Sequence, residues 1–204
     1  MQAITIEMTD HEAAPLYLKD KQLSDSMLEQ VESAQQHGDS IGGVVGCIIN
    51  NPPLGLGEPI YDKLEAKLAY AMLSIPASKG FEIGAGFSAC TQTGSQHNDS
   101  MHAHNGDSHF TTNHAGGTLG GISTGEPIYC RVGFKPTSSI KQPQQTTNTQ
   151  HENVTLTLDH TARHDPCVAI RAIPVVSAMA SCVIADCLLL MQTSRMQNLD
   201  FYDN

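Results

Sequence analysis

Apolar residues recur at helical spacing at Leu23, Met27, Val31 and Ala34, which predicts an amphipathic helix capped by Ser24 or Ser26 and closed by Gly38. Residues 41–50, IGGVVGCIIN, are β-branched and nearly all apolar, and Asn51-Pro52-Pro53 stops them. That pattern predicts a buried strand. Leu64, Leu68, Met72 and Ile75 fall on one face of a second helix, expected over residues 61–75 and closed by Pro76. Further strands are expected at 81–83 and 87–91, around a Gly-Ala-Gly kink, and then at 128–134 and 154–158. A last helix is expected over 174–191.

Between these elements lie two polar stretches. Residues 93–113 are His-rich and almost free of aliphatic side chains, and are expected as a mobile loop. Residues 141–153 are rich in Gln and Thr and are expected as a polar loop. Helices and strands alternate irregularly, with neither a βαβ period nor an internal repeat, which favours an α+β fold over a doubly wound sheet. No linker divides the chain, so residues 1–204 are expected as a single domain.

Composition narrows the partners more than the fold. The 204 residues are 40% hydrophobic, enough to bury a core, and carry a formal net charge of −10. A nucleic-acid binder needs a basic face to displace counterions, so that class is excluded. An anionic small ligand would need a local cluster of Lys, Arg or backbone N–H groups set against the global field. The six cysteines form no CxxC pair and several sit in apolar runs, so they are expected as small buried hydrophobes in a reducing compartment. Residues 1–10 show no basic region followed by an apolar one, and cytoplasm or an organelle (plastid) interior is the expected location. Residues 167–191 approach membrane-span length, but Arg171, Pro174 and Asp186 point to a protein interior rather than a bilayer, and no membrane partner is expected.

Four segments are unusual as plain structure. Gly38-Asp-Ser-Ile-Gly-Gly43 runs from a helix end into a strand, and reads either as a helix cap with close backbone packing or as part of a site. Ser74-Ile-Pro-Ala-Ser-Lys-Gly80 could let a planar or anionic ligand approach the backbone, although such a string also suits an ordinary turn. Residues 113–125, NHAGGTLGGISTG, hold five glycines in thirteen positions. Successive N–H groups there could face a phosphate or a flavin edge, or the run could be a hinge, but its spacing fits neither a dinucleotide fingerprint nor a P-loop. Finally, FKPTSS (134–139) offers one Lys and three hydroxyls, and Arg163-His164-Asp165 sets a cation, a switchable base and a carboxylate side by side before a helix. The trio reads as a proton-handling group or as an ion pair at a helix start. The histidines at 97, 102, 104 and 109 lack a fixed spacing, and no metal is expected.

Taken in order, GDSIGGVV, GLGEPIYDKLEAKLAYAMLSIPASKGFEIGAGF, NHAGGTLGGISTGEPI, FKPTSSI and RHDPCVAIRAIPVVSAMA resemble the chorismate synthases over about residues 36–190. The resemblance implies a layered α+β sandwich of antiparallel sheets and helices, assembled as a homotetramer. It implies a lyase that uses reduced FMN to eliminate phosphate from 5-enolpyruvylshikimate 3-phosphate without net oxidation, giving chorismate for aromatic amino acid biosynthesis, with NADPH a possible reductant. It also implies flavin contacts from Pro76, Ala77, Gly120, Lys135, Pro136, Thr137, Ser138, Ser139 and Arg163, with Asp165 near the flavin N5 as the catalytic residue. Members of that family are about twice this length, and their amino-terminal half supplies two catalytic histidines, an arginine-rich substrate site and the remaining flavin contacts. The chain is therefore expected to correspond to the carboxy-terminal half, with little turnover unless the other half is supplied. The alternative is a folded, non-catalytic remnant or a split subunit. PLYLKDK at 15–21 departs from the Arg-Cys-Pro usual in that family.

Overall fold

The computed structural model describes residues 5–7, 25–104, 106–159 and 163–194, so Leu23 and the expected cap Ser24 lie outside it. In chain order it runs β1 (Thr5–Glu7), α1 (Asp25–Gln36), β2 (Gly43–Asn50), α2 (Leu64–Leu73), β3 (Ser78–Ile83), a 3-10 helix (Gly86–Thr91) and α3 (Gly94–His97). Three hairpins and one strand follow: β4 (Met101–His104) with β5 (Asp107–Phe110), β6 (Thr118–Leu119) with β7 (Ile122–Ser123), β8 (Ile128–Phe134), and β9 (Gln144–Thr147) with β10 (Asn153–Leu156). Helix α4 (Val168–Ser194) ends the described chain.

The main sheet has the order β1-β2-β8-β3 and every pairing in it is antiparallel. The fold is α+β, as the irregular alternation of elements implied. Val45, Cys47 and Ile49 of β2 stand opposite Val132, Cys130 and Ile128 of β8, and all six are buried. They form one apolar face, as the two-residue period of a strand requires. Helix α4 lies on that face and packs against β2, β8 and α2. Its buried stripe is Ala169, Ala172, Ile173, Val176, Ala180, Ile184 and Cys187. These recur every three or four residues, the geometry of a helix with one face inward. By length and composition alone α4 could also cross a membrane; here that apolar stripe covers the sheet. Leu64, Leu68 and Met72 of α2 join the same core, and Lys67 ties α2 to Asp186 of α4 at 2.9 Å.

Several expectations are corrected. Residues 87–91 form a 3-10 helix instead of a strand. Positive φ at Gly84 and Gly86 folds the chain back, and Ser88 and Thr91 donate their hydroxyls to carbonyls three residues earlier, which favours a turn over a ladder. The polar stretch 93–113 holds α3, closed by a Thr93/Gln96 capping box, and the β4–β5 hairpin. Likewise, the Gln/Thr segment 141–153 contributes β9, whose uniformly polar residues pair with β10 on an exposed hairpin. Helix α2 starts three residues later than expected, because Tyr61 takes φ +63° in the turn before it.

Pro174 lies inside α4, which begins at Val168. A proline there forfeits one backbone bond, yet the burial of Ala169, Ala172 and Ile173 on both sides of it favours continuing the helix. Two cysteines also differ from expectation. Cys47, Cys130, Cys167 and Cys187 are buried, but Cys90 and Cys182 are exposed, the latter because it faces outward from α4.

The segment before the glycine run is anchored by one carboxylate. Asp99 accepts the backbone N–H groups of His114 and Ala115 at 2.7 and 2.9 Å and the Thr112 hydroxyl at 2.7 Å. Burial alone would raise its pKa, but these donors and nearby His114 outweigh it and hold the carboxyl below its ordinary value.

Two predictions follow from this packing. Leu68→Ala, at a side chain with no exposure, is expected to cost about 2–5 kcal/mol in urea unfolding; Leu73→Ala, on the exposed side of the same helix, should cost well under 1 kcal/mol by the usual surface range, roughly ±0.5. Because the folded-state pKa of Asp99 lies below the unfolded one, its contribution is present above about pH 4 and fades as pH falls through the folded value. Asp99→Asn should therefore lower stability near neutrality and flatten its acid limb, as thermal melts at a series of pH values would show.

Candidate functional site

The end of the sheet where β2 and β3 begin and β8 finishes gathers most of the unusual segments. Phe134, the last residue of β8, lies opposite Gly43 on one side and Ser78 on the other. The chain leaving β8 passes directly over Gly42. A Cβ on that residue would sit 2.5 Å from the Phe134 carbonyl oxygen and 3.2 Å from the Pro136 ring. Gly38, with φ +65°, ends α1 and brings its carbonyl to 2.8 Å from the Lys141 amide. The close-packing reading of Gly38-Asp-Ser-Ile-Gly-Gly43 thus holds, and what it packs against is the 135–141 segment.

Residues 163–167 complete a three-way junction. Ile41 donates its backbone N–H to the Pro166 carbonyl at 2.8 Å, the Ser40 hydroxyl donates to the Thr137 carbonyl at 2.7 Å, and the Thr137 hydroxyl donates to the Asp165 carbonyl at 2.9 Å. His164 places Nε2 at 2.6 Å from the Asp39 carbonyl oxygen and Nδ1 at 3.1 Å from that of Ser139. On the other flank, Lys135 donates its backbone N–H to the carbonyl of Ala77 at 2.9 Å. Ala77 holds φ +68°, an unusual value for a residue with a side chain, and so turns the chain sharply from Pro76 into β3.

Asp165 is fixed at both oxygens. Oδ2 pairs with Arg171 Nε at 3.0 Å, and Oδ1 accepts the Cys167 N–H at 3.3 Å. The carboxylate thereby closes a two-residue turn just ahead of α4, near the positive end of the helix dipole. The ion-pair reading of the trio is thus realised, with Arg171 as partner. Sequence reasoning did not single out Arg171; its position six residues after Asp165, across the start of a helix, was the available signal. Burial raises the pKa of the neighbouring Cys167 thiol and Asp165 adds to that, against the opposing N–H groups of Ala169 and Ile170. Cys167 is accordingly a buried thiol with reduced thiolate character.

Beside the junction lies an open recess of about 320 Å³ lined by Gly43, Val44, Lys79, Gly80, Gly133, Phe134 and Lys135. A Cβ at Gly80 would meet nothing within 4 Å, and one at Gly133 would find only Gly80, at 3.8 Å. The floor is therefore bare backbone with room above it, flanked by two exposed lysines. Lys79, Lys135, Lys141, Arg163 and Arg171, five of the eleven basic residues of a chain of net charge −10, lie on the segments that make this end of the molecule. Of these, Lys79 and Lys135 line the recess itself, and Arg171 is paired with Asp165.

The structure thus assembles Pro76, Ala77, Lys135, Pro136, Thr137, Ser138, Ser139, Arg163 and Asp165 around one end of the sheet. Gly120 is elsewhere. It sits in the β6–β7 turn, whose neighbour Gly121 accepts the N–H of Leu64 at the start of α2. The Ala77 turn is at the other end of that ten-residue helix, about 15 Å away along its axis. Within the glycine run, Gly116, Gly117 and Gly121 are held by close backbone neighbours, whereas Gly120 and Gly125 have open space. Among the described residues no group of three His, Cys, Asp or Glu side chains is placed to hold a metal.

Comparison with known proteins follows the same segments. A family model described as chorismate synthase matches residues 1–189. The chain is 54% identical over 167 residues to the chorismate synthase of Protochlamydia amoebophila (strain UWE25), covering 82% of this chain and 46% of that protein. It is 48% identical over 189 residues to the chorismate synthase of Synechocystis sp. (strain ATCC 27184 / PCC 6803 / Kazusa), covering 92% and 52% respectively. A crystal structure of a chorismate synthase superimposes with a TM-score of 0.65 at 31% identity, over 82% of this chain and 43% of that one. The chain spans about half the length of the curated relatives it matches.

The crossing at Gly42 generates a prediction. Gly42→Ala is expected to push the 135–139 segment away from the strand start and to cost about 1–3 kcal/mol. Chemical-shift changes should concentrate at residues 39–42, 134–139 and 163–167; changes spread evenly through the core would contradict this account of the junction.

Proposed function

The chain belongs to the chorismate synthase family, and from that premise we propose that it carries the flavin-facing part of a lyase that converts 5-enolpyruvylshikimate 3-phosphate to chorismate and phosphate with reduced FMN. The observation that carries this reading is the convergence of Ala77, the 135–139 segment, Arg163 and Asp165 on one cationic, glycine-floored end of the sheet. The bare backbone at Gly80 and Gly133 fits a flat ring laid against it, and Lys79 and Lys135 at its rim fit an anionic group. Reduced FMN, when bound, supplies an electron transiently to the substrate and takes it back, so that no net oxidation results.

The residues of the chain then divide the work of binding and proton handling. The exposed side chains of Lys135, Ser138, Ser139 and Arg163 offer charge and hydrogen bonds to phosphate. Asp165, whose carboxylate oxygens are oriented by Arg171 and the Cys167 N–H, is a fixed place to hold and return a proton. Its neighbours leave it little freedom to swing, which favours transfer at a set geometry. Gly120, at the far end of α2, stands outside this cluster, and the contact proposed for it is not made with the same part of a ligand. A cytoplasmic location, homotetrameric assembly and NADPH as reductant belong to the same reading.

The half-length coverage of the relatives supports a second component of the proposal, that turnover requires groups beyond the matched segment. The chain alone is expected to bind FMN with little conversion of substrate, and conversion should appear when the amino-terminal half of a relative is added. Arg163→Ala should weaken FMN binding by roughly 10–100-fold, the range for losing a charged hydrogen bond, measured by quenching of flavin fluorescence. Asp165→Asn should leave binding nearly intact while lowering turnover of the complemented enzyme by about 10²–10⁴-fold. Equal FMN affinity in wild type and Arg163→Ala, or full turnover with Asp165→Asn, would remove those residues from the mechanism.

A further inference from the structure

We propose that His164 is a positioning residue, a two-armed clasp that holds Asp165 in place through the carbonyl groups of Asp39 and Ser139 and is complete only when its ring carries both protons. The inference rests on the reading of Asp165 as the proton-handling group. Its geometry stands apart from that reading: Nε2 lies 2.6 Å from the Asp39 oxygen and Nδ1 lies 3.1 Å from the Ser139 oxygen. Both partners are backbone carbonyl oxygens, which accept and never donate. A neutral imidazole has a single N–H and can serve only one of them, leaving two lone pairs facing each other across the other contact. The imidazolium serves both, and its charge strengthens each bond.

The other fastenings of the junction are indifferent to pH. They are the Ile41, Lys135 and Lys141 backbone amides, the Ser40 and Thr137 hydroxyls and the Gln142 side-chain amide, all donating to carbonyl oxygens. His164 is the one side chain among the described cross-segment fastenings whose type changes charge near neutrality. The charged or titratable groups on the segments around it are Asp39, whose Oδ1 is held by the Ser40 N–H, together with His37, Lys135, Lys141, Arg163, Asp165 and Arg171. Loss of one proton releases one arm, either from the turn after α1 or from the 135–139 segment. The peptide that carries Asp165 then keeps one His164 arm beside the Thr137 and Ile41 bonds.

The test uses the wild-type chain, with the His164 ring resonances assigned through backbone correlations and followed by long-range ¹H–¹⁵N NMR across about pH 5 to 8. Hydrogen exchange of the Ile41 and Lys141 amides, each bonded across the junction, is measured at the same pH values and corrected for intrinsic rates. We expect both ring nitrogens to be protonated at the acid end, and protection of at least one of the two amides to fall roughly tenfold as the second proton leaves. His164→Gln, which cannot supply two donors to two separate carbonyls along the imidazole axis, should show the lower protection at every pH. A ring that is singly protonated throughout, or protection that does not follow its titration, overturns the proposal. FMN titration at both pH extremes separates the two readings: failure to bind at either pH strikes the functional assignment and leaves the clasp intact, whereas binding with no titration-linked change in exchange strikes the clasp alone.

Discussion

Gly42 and Gly43 lie where three segments must cross, and the absence of side chains there sets the rest of the site. Strand β8 meets β2 in register from Ile128 to Phe134, over a core face of fully buried side chains. Each of those burials contributes about 1.5–3 kcal/mol, so the register is not negotiable: a slip by one residue would turn Val132 and Cys130 toward solvent. With the register fixed, the Phe134 carbonyl is delivered onto Gly42 at a distance no Cβ would permit. From that crossing the chain can run only past the turn after α1, which is why Ser40 and Gly38 find partners at Thr137 and Lys141, while the Asp39 carbonyl between them meets His164.

The same geometry resolves an apparent contradiction in charge. A chain of net charge −10 would repel an anionic ligand on approach. Its basic residues are few, but the junction collects Lys135, Lys141, Arg163 and Arg171 from segments far apart in sequence, and β3 adds Lys79. At physiological ionic strength fields are screened over about 8 Å, so a ligand already at the recess meets the rim lysines Lys79 and Lys135 before carboxylates elsewhere on the chain.

How much of this was readable from the chain depends on which period was present. Strand β8 and helices α1 and α2 are strongly periodic, and their existence followed from Val132, Val31 and Leu68 and their like-faced neighbours. The 3-10 helix, the β4–β5 hairpin and β9 were not legible, because exposed polar residues such as His102, His109 and Gln145 carry no burial pattern and are held by local backbone bonds. Pro174 misplaced the start of α4, since a proline signals a helix beginning only where no apolar stripe continues through it. At the site, the motifs named the residues, but only the fold places Ala77 beside Lys135 and sets Gly120 at the other end of α2. Arg171 and the double contact of His164 arise from tertiary placement and had no signal in spacing beyond their nearness to Asp165.

That nearness bears on what Asp165 can be. An aspartate just ahead of a helix, paired with an arginine about one turn into it, is an ordinary structural device, and its geometry here fully accounts for it as one. The functional reading does not compete with this. A carboxylate that must accept and return a proton at one position needs its oxygens oriented before the ligand arrives, and a turn bond plus an ion pair orient both. The structural bonds are the means of that orientation, and the surrounding ties differ in kind: Arg171 acts on the carboxylate itself, while His164 and Thr137 act on the peptide that carries it. Substitutions at Arg171 therefore alter charge at Asp165 together with its position, whereas substitutions at His164 alter position through the backbone, and the two kinds of change separate what the carboxylate does from where it is held.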